Sequence, residues 1–138
     1  MEIAAGDEYI LEKEQLSLKT IKSIHPVDGR FYVITDTQTG VKIGITGDTA
    51  YNGKGAEFFK GCNILIHEAA LGIKQQDNND YLHSYVQDAA KTAVEAGVKK
   101  LMLVHFDSGY IWEYIKAAKE IFKGEVMAPV KGDVVLLG

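Results

Sequence analysis

The residues able to do chemistry are few and regularly placed. The histidines are His25, His67, His83 and His105. Carboxylates stand close to them in the chain. Asp48 sits in Thr46-Gly47-Asp48-Thr49, Glu68 directly follows His67, and Asp107 comes two residues after His105. Imidazole and carboxylate are the usual ligands of zinc-type cations, and imidazole also moves protons near neutral pH. One histidine at a strand end is most often a hydrogen-bonded structural residue. Gly47-Asp48-Thr49 on its own reads equally well as a turn closed by an aspartate side chain. The repetition carries more. Short apolar run, ligand-type residue and turn recur along the chain, which fits a fold that builds its site at the carboxyl ends of strands.

The elements that must position these residues follow from periodicity. Tyr9 to Glu14 and Leu18 to Val27 read as strands, the second by alternation, with His25 at its end. Residues 31–35 and 41–46 flank the turn-rich Asp36-Thr37-Gln38-Thr39-Gly40 and predict a hairpin leading into Asp48. Asn63 to His67 is apolar at consecutive positions, the mark of a buried strand. Ser84 to Ala96 predicts a helix, with Ser84 and Gln87 as a capping box and Gly97 as the stop. Leu101 to Phe106 predicts a strand ending at His105. Ile111, Ile115, Ala118 and Phe122 mark a second helix closed by Gly124, and Val134 to Leu137 reads as a last strand. Glu57 to Lys60 is too short to assign. Strands apolar throughout expect cover on both faces. Two helices cover one face, and nothing in the sequence covers the other.

Bulk properties narrow the class. The 138 residues suit a single domain, 1–138, large enough to bury a core. With 46% hydrophobic and 25% charged residues, the chain reads as soluble and globular. No apolar run reaches the ~20 residues of a membrane span, and residues 1–8 do not read as a signal peptide. A net charge of −4 argues against loose, salt-driven binding to nucleic acid. The lone Cys62 rules out an internal disulfide, so cytoplasm is the default compartment. At the entrance to an apolar run, Cys62 reads as a small buried hydrophobe.

The ordered pieces resemble the second half of the metallo-β-lactamase superfamily, nearest its ribonuclease Z and phosphodiesterase-like branch. The pieces are Ile24-His25-Pro26-Val27, Gly47-Asp48-Thr49, Leu65-Ile66-His67-Glu68-Ala69, His83-Ser84 before an Ala-rich helix, and Leu103-Val104-His105-Phe106. The resemblance implies an α/β fold: one sheet-and-helix layer, half of the αββα sandwich. It implies His25 as a ligand of a first metal, Asp48 as a bridging carboxylate and His105 as a ligand of a second. Zinc is the first candidate, with manganese or iron behind it. His83 and Glu68 take catalytic places, His83 at the leaving group or scissile phosphate and Glu68 fixing its tautomer. His67 is left between supporting a ligand and a purely structural place.

Two departures bear on function. The His-x-His-x-Asp-His motif of the family's first half does not occur in this sequence, and no histidine precedes His25. Where the ribonuclease Z branch carries a Ser-x-Arg-Tyr stretch after the last histidine, this chain reads Asp107-Ser108-Gly109-Tyr110, without the arginine. The expectation is half of a metal-dependent hydrolase acting on a small phosphodiester or related ester, with nucleic acid less favoured. Alone it should be inactive. It should need a complementary N-terminal half, or its own copy in a homodimer. The competing expectation is a non-catalytic interaction module, or an inactive fragment, that retains the scaffold.

Overall fold

The computed structural model describes residue 6, residues 8–74 and residues 82–137. Among them, seven strands form one mixed sheet in sequence order: β1 (Glu8–Leu11), β2 (Leu16–Lys22), β3 (Arg30–Asp36), β4 (Lys42–Ile45), β5 (Ile64–Glu68), β6 (Lys100–Val104) and β7 (Glu125–Met127). The first four pair antiparallel and the last four parallel. Helices α1 (Lys54–Phe58), α2 (Val86–Ala96) and α3 (Ile111–Ile121) make the three parallel crossovers. Crossovers that step one strand at a time in one direction, with one hand, lay their helices on one face. The core lies there: Phe31, Val33, Leu65, Leu101, Leu103 and Val126 from the sheet meet Phe59, Ala89, Ala93, Tyr114 and Ala118.

The strands repeat the expected pattern with trimmed ends. The hairpin forms as read. Asp36 Oδ1 accepts from the backbone N–H groups of Gln38 and Thr39, which holds the Asp36 carboxyl below its usual range. Gly97 stops α2 in the left-handed region, φ 67°, which a side chain would resist. Cys62 is buried, and burial pushes its thiol up to about 11.

Two expectations are corrected. Val134 to Leu137 is not a strand. The seventh strand is Glu125–Met127, parallel to β6 at Lys100–Met102. A run of three residues between a helix and Pro129 offers too little periodicity to read. The second correction is the cap of α2. Ser84 and Gln87 do not form it. Tyr85 takes the cap position, and its N–H donates to the Asp88 carboxylate at 3.0 Å. Ser84 Oγ donates instead to the Thr49 carbonyl at 2.6 Å, and Gln87 accepts from the Lys74 N–H.

By strand alternation, the opposite sheet face carries Tyr32, Ile34, Ile43, Ile45, Ile66, Met102 and Met127. These side chains are half-buried. No described helix lies against them. The carboxyl-terminal tail reaches this side, where Lys100 Nζ contacts the Leu136 carbonyl at 3.5 Å, yet Val134 and Leu136 stay exposed.

Candidate metal and proton-transfer site

Strand direction decides where the histidines meet. β2, β4, β5 and β6 all run the same way, since two antiparallel steps restore direction. Their carboxyl ends therefore share one edge. His25 follows β2, Asp48 follows β4, Glu68 ends β5 and His105 follows β6. His83, two residues before the cap of α2, reaches the same edge. The His83 ring lies 5.2 Å from that of His25 and 5.3 Å from that of His105, edge-on to both.

Each carboxylate holds one imidazole. Glu68 Oε1 accepts from His83 Nδ1 at 2.8 Å, and Asp48 Oδ1 from His105 Nδ1 at 2.9 Å. Glu68 is 1% exposed and fully used: Oε1 also accepts from the Thr49 N–H, and Oε2 from the Ala70 N–H. Asp48 is positioned through its backbone, its carbonyl accepting from Ser23 Oγ at 3.0 Å. Gly47 makes the approach to Asp48 at φ 56°, where a Cβ would also press on the Arg30 carbonyl at 3.1 Å. His105 itself sits at φ 53°, unusual for a residue with a side chain.

His67 goes elsewhere. Successive strand residues point to opposite faces, so His67 turns into the helix-covered core while Glu68 turns to the edge. It is 2% exposed, its Nδ1 donates to the Glu68 carbonyl at 2.7 Å, and burial lowers its pKa. Its place is structural. Thr49 and Ser84 were not read as site residues, yet they tie the parts together. Thr49 Oγ1 accepts from the Ile24 N–H beside His25, its N–H serves Glu68, and its carbonyl takes Ser84 Oγ beside His83. The available signal was adjacency: each stands next to a candidate residue.

The donor chemistry suits a divalent cation. One donor atom each from His25, Asp48 and His83 lie within 4.8 Å of one another, as do those of Glu68, His83 and His105. Imidazole and carboxylate with an open side is the donor type of catalytic zinc centres. His83 belongs to both groups, and Glu68 is saturated by N–H donors. The described residues thus supply one open set of His25 and Asp48 with His83 or His105 near, rather than two complete ones. His25 Nδ1 accepts from the Val27 N–H at 3.3 Å, so binding through Nε2 asks that ring to change tautomer.

No family model matches the chain. Individual relatives do. It is 35% identical over 133 residues to a ribonuclease Z of Saccharolobus islandicus, covering 88% of this chain and 45% of that protein. A ribonuclease Z of Thermococcus sibiricus is 34% identical over 123 residues, covering 86% and 40%. The metallo-β-lactamase fold protein YhfI from Bacillus subtilis superposes with a TM-score of 0.84 at 26% identity, covering 95% of this chain and 53% of its own. This is a metallo-β-lactamase fold of the ribonuclease Z-like branch. Human short-form tRNase Z agrees, with a TM-score of 0.70 and 26% identity over 96% of this chain and 48% of that one. The chain spans about half the length of the relatives it matches. Among the described residues no helix is long and apolar enough to cross a membrane.

Proposed function

We propose that this chain is one part of a metal-dependent phosphodiesterase of the ribonuclease Z kind, in which His25, Asp48 and His105 hold metal and His83 with Glu68 handles the proton. The reading rests on one observation: two imidazole–carboxylate pairs and a third imidazole meet at one sheet edge, with ring centroids 5.2 and 5.3 Å apart. Zinc, the first candidate, would supply Lewis acidity at the phosphoryl oxygen and a nucleophile near neutral pH. Glu68 keeps the proton of neutral His83 on Nδ1 and orients the ring. Once Nε2 takes up a proton from solvent, the ring can pass that proton to the leaving oxygen as general acid. The names of the relatives support an RNA phosphodiester, while the −4 charge and the arginine-free Asp107–Tyr110 stretch favour a smaller one.

Completion from outside these residues belongs to the proposal. The relatives are about twice as long, and the sheet face of Tyr32, Ile34, Ile45, Ile66 and Met102 has no described helix against it. A complementary segment, or a second copy, would cover that face and add donors. A non-catalytic module that retains the scaffold remains the second reading, favoured by a donor set that is open rather than complete among the described residues.

Equilibrium dialysis against zinc, followed by hydrolysis of bis(p-nitrophenyl) phosphate, tests the proposal. Zinc should bind weakly in the chain alone, and Asp48→Asn should weaken that binding more than about tenfold. Hydrolysis should appear when the complementary half of a relative is added. If no zinc binds with or without that half, the module reading replaces this one.

A further inference from the structure

Behind the site, on the helix-covered side of the sheet, a small pocket lies between the ends of β4 and β5, α2 and the turn into α1. Phe31 and Phe59 give it apolar wall, and polar residues complete the lining. The space open to the centre of a water molecule is about 10 Å³. One water needs roughly 10–15 Å³ by that measure, so nothing larger fits.

Two of the lining hydroxyls are fully used. Thr46 Oγ1 donates to the Gly47 carbonyl and accepts from the Glu68 N–H. Thr49 Oγ1 donates to the Ala50 carbonyl and accepts from the Ile24 N–H. Three other groups are not. Asn52 Oδ1 accepts from the Lys54 N–H at 2.9 Å, which fixes the amide and leaves its buried Nδ2 with no protein acceptor. His67 is 2% exposed, and its Nδ1 donates to the Glu68 carbonyl. Nε2 therefore carries the lone pair, and among the described residues no donor reaches it. Thr92 is buried, and its hydroxyl donates to the Asp88 carbonyl with its lone pairs still open. Buried donors and acceptors without partners cost folding free energy. One donor and two acceptors around room for one water match what a water offers, a lone pair and two hydrogens. A metal cation does not match, because the Asn52 amide would meet it with N–H.

We infer that one water molecule occupies this pocket, accepting from Asn52 Nδ2 and donating to His67 Nε2 and Thr92 Oγ1, and that it fixes the tautomer of His67. With a water hydrogen on Nε2, the ring's own proton stays on Nδ1 and holds the Glu68 carbonyl. Glu68 is the residue whose side chain orients His83. Asn52 is thus a positioning residue for that stretch of backbone, acting through the water and His67. None of this needs a metal or a substrate, so it stands or falls apart from the phosphodiesterase reading.

Nuclear magnetic resonance of the chain with isotope-labelled histidine tests it, at a pH above the ordinary histidine range. His67 Nδ1 should carry the proton. Nε2 should carry none, yet resonate away from the position of a free lone-pair nitrogen, toward that of a hydrogen-bonded one. A long-lived water should show through-space contact with the His67 ring. Asn52→Leu removes the donor at nearly constant volume. The water contact should then be lost, and Nε2 should return to the unbonded position. Thr92→Val leaves the Asn52–Lys54 contact alone and removes one acceptor, so it should weaken the water contact without abolishing it. It also serves as the test if the Asn52 variant fails to fold. A proton on Nε2, no water contact in the parent chain, or signals unmoved in every variant that folds would overturn the inference.

Discussion

The two imidazole–carboxylate pairs are nearly equal in length and opposite in setting. His83–Glu68 spans 2.8 Å with a carboxylate side chain 1% exposed, and His105–Asp48 spans 2.9 Å with one 45% exposed. Glu68 is locked by two backbone N–H donors besides His83. Asp48 has no side-chain partner among the described residues except His105. A buried carboxylate must have its acceptors filled or it costs folding free energy, whereas an exposed one can wait for a ligand. One pair is therefore built into the fold and suited to orienting a proton donor. The other is open and suited to taking a cation. The difference supports the two proposed roles, which the nearly equal hydrogen-bond distances do not separate.

Substituting the two carboxylates is the sharpest way to break that contrast. Glu68→Ala strands the Thr49 and Ala70 N–H groups and frees His83, and should lower stability by about 3 kcal/mol. Asp48→Asn should change stability by less than about 0.5 kcal/mol while weakening zinc binding more than about tenfold. Urea denaturation and zinc dialysis measure the two arms. Equal stability losses would show that the pairs do not differ as their burial implies.

How much of this was legible depended on the kind of signal. Strand-end positions of His25, Asp48, Glu68 and His105 follow from short apolar runs, and the runs are in the sequence. Their convergence needs strand direction, which only pairing supplies. The burial contrast was not legible, because Glu68 and Asp48 are both acids beside short strands. The Ser84 cap failed for a related reason. Local capping rules predict a helix end, but Ser84 had a better acceptor in the Thr49 carbonyl, 35 residues away in sequence. β7 was missed because its three residues owe their conformation to β6, while Val134 to Leu137 had the right composition and no partner strand.

His67 extends the contrast into the core. Its ring is buried and its pKa lowered, chiefly by desolvation, so the folded protein holds it neutral. The unfolded chain takes up the proton as pH falls below its ordinary 6.5. Unfolding then binds a proton that folding must release, so stability is complete above 6.5 and declines below it, by up to about 1.4 kcal/mol per pH unit until the folded pKa is reached. Urea midpoints between pH 7.5 and 5.5 should fall in the parent and fall less in His67→Gln. If both variants track together, another group carries the acid sensitivity, and the core-facing histidine is not a second buried contributor to set beside Glu68.

The smallest effect tests what holds the open pair in place. At φ 53°, His105 pays for its position with a left-handed backbone that glycine adopts freely. His105→Ala and His105→Gly lose the same imidazole and the same contact with Asp48. Only the strain separates them, so the glycine variant should be the more stable by about 1 kcal/mol. Both should bind zinc worse than the parent. That pairing of outcomes would mean the open side of the site is kept against local stability, as expected of a residue placed for a ligand rather than for folding. An alanine variant at least as stable as the glycine one would mean the turn after β6 accepts the conformation without strain, and His105 would then be no more costly to hold than His83.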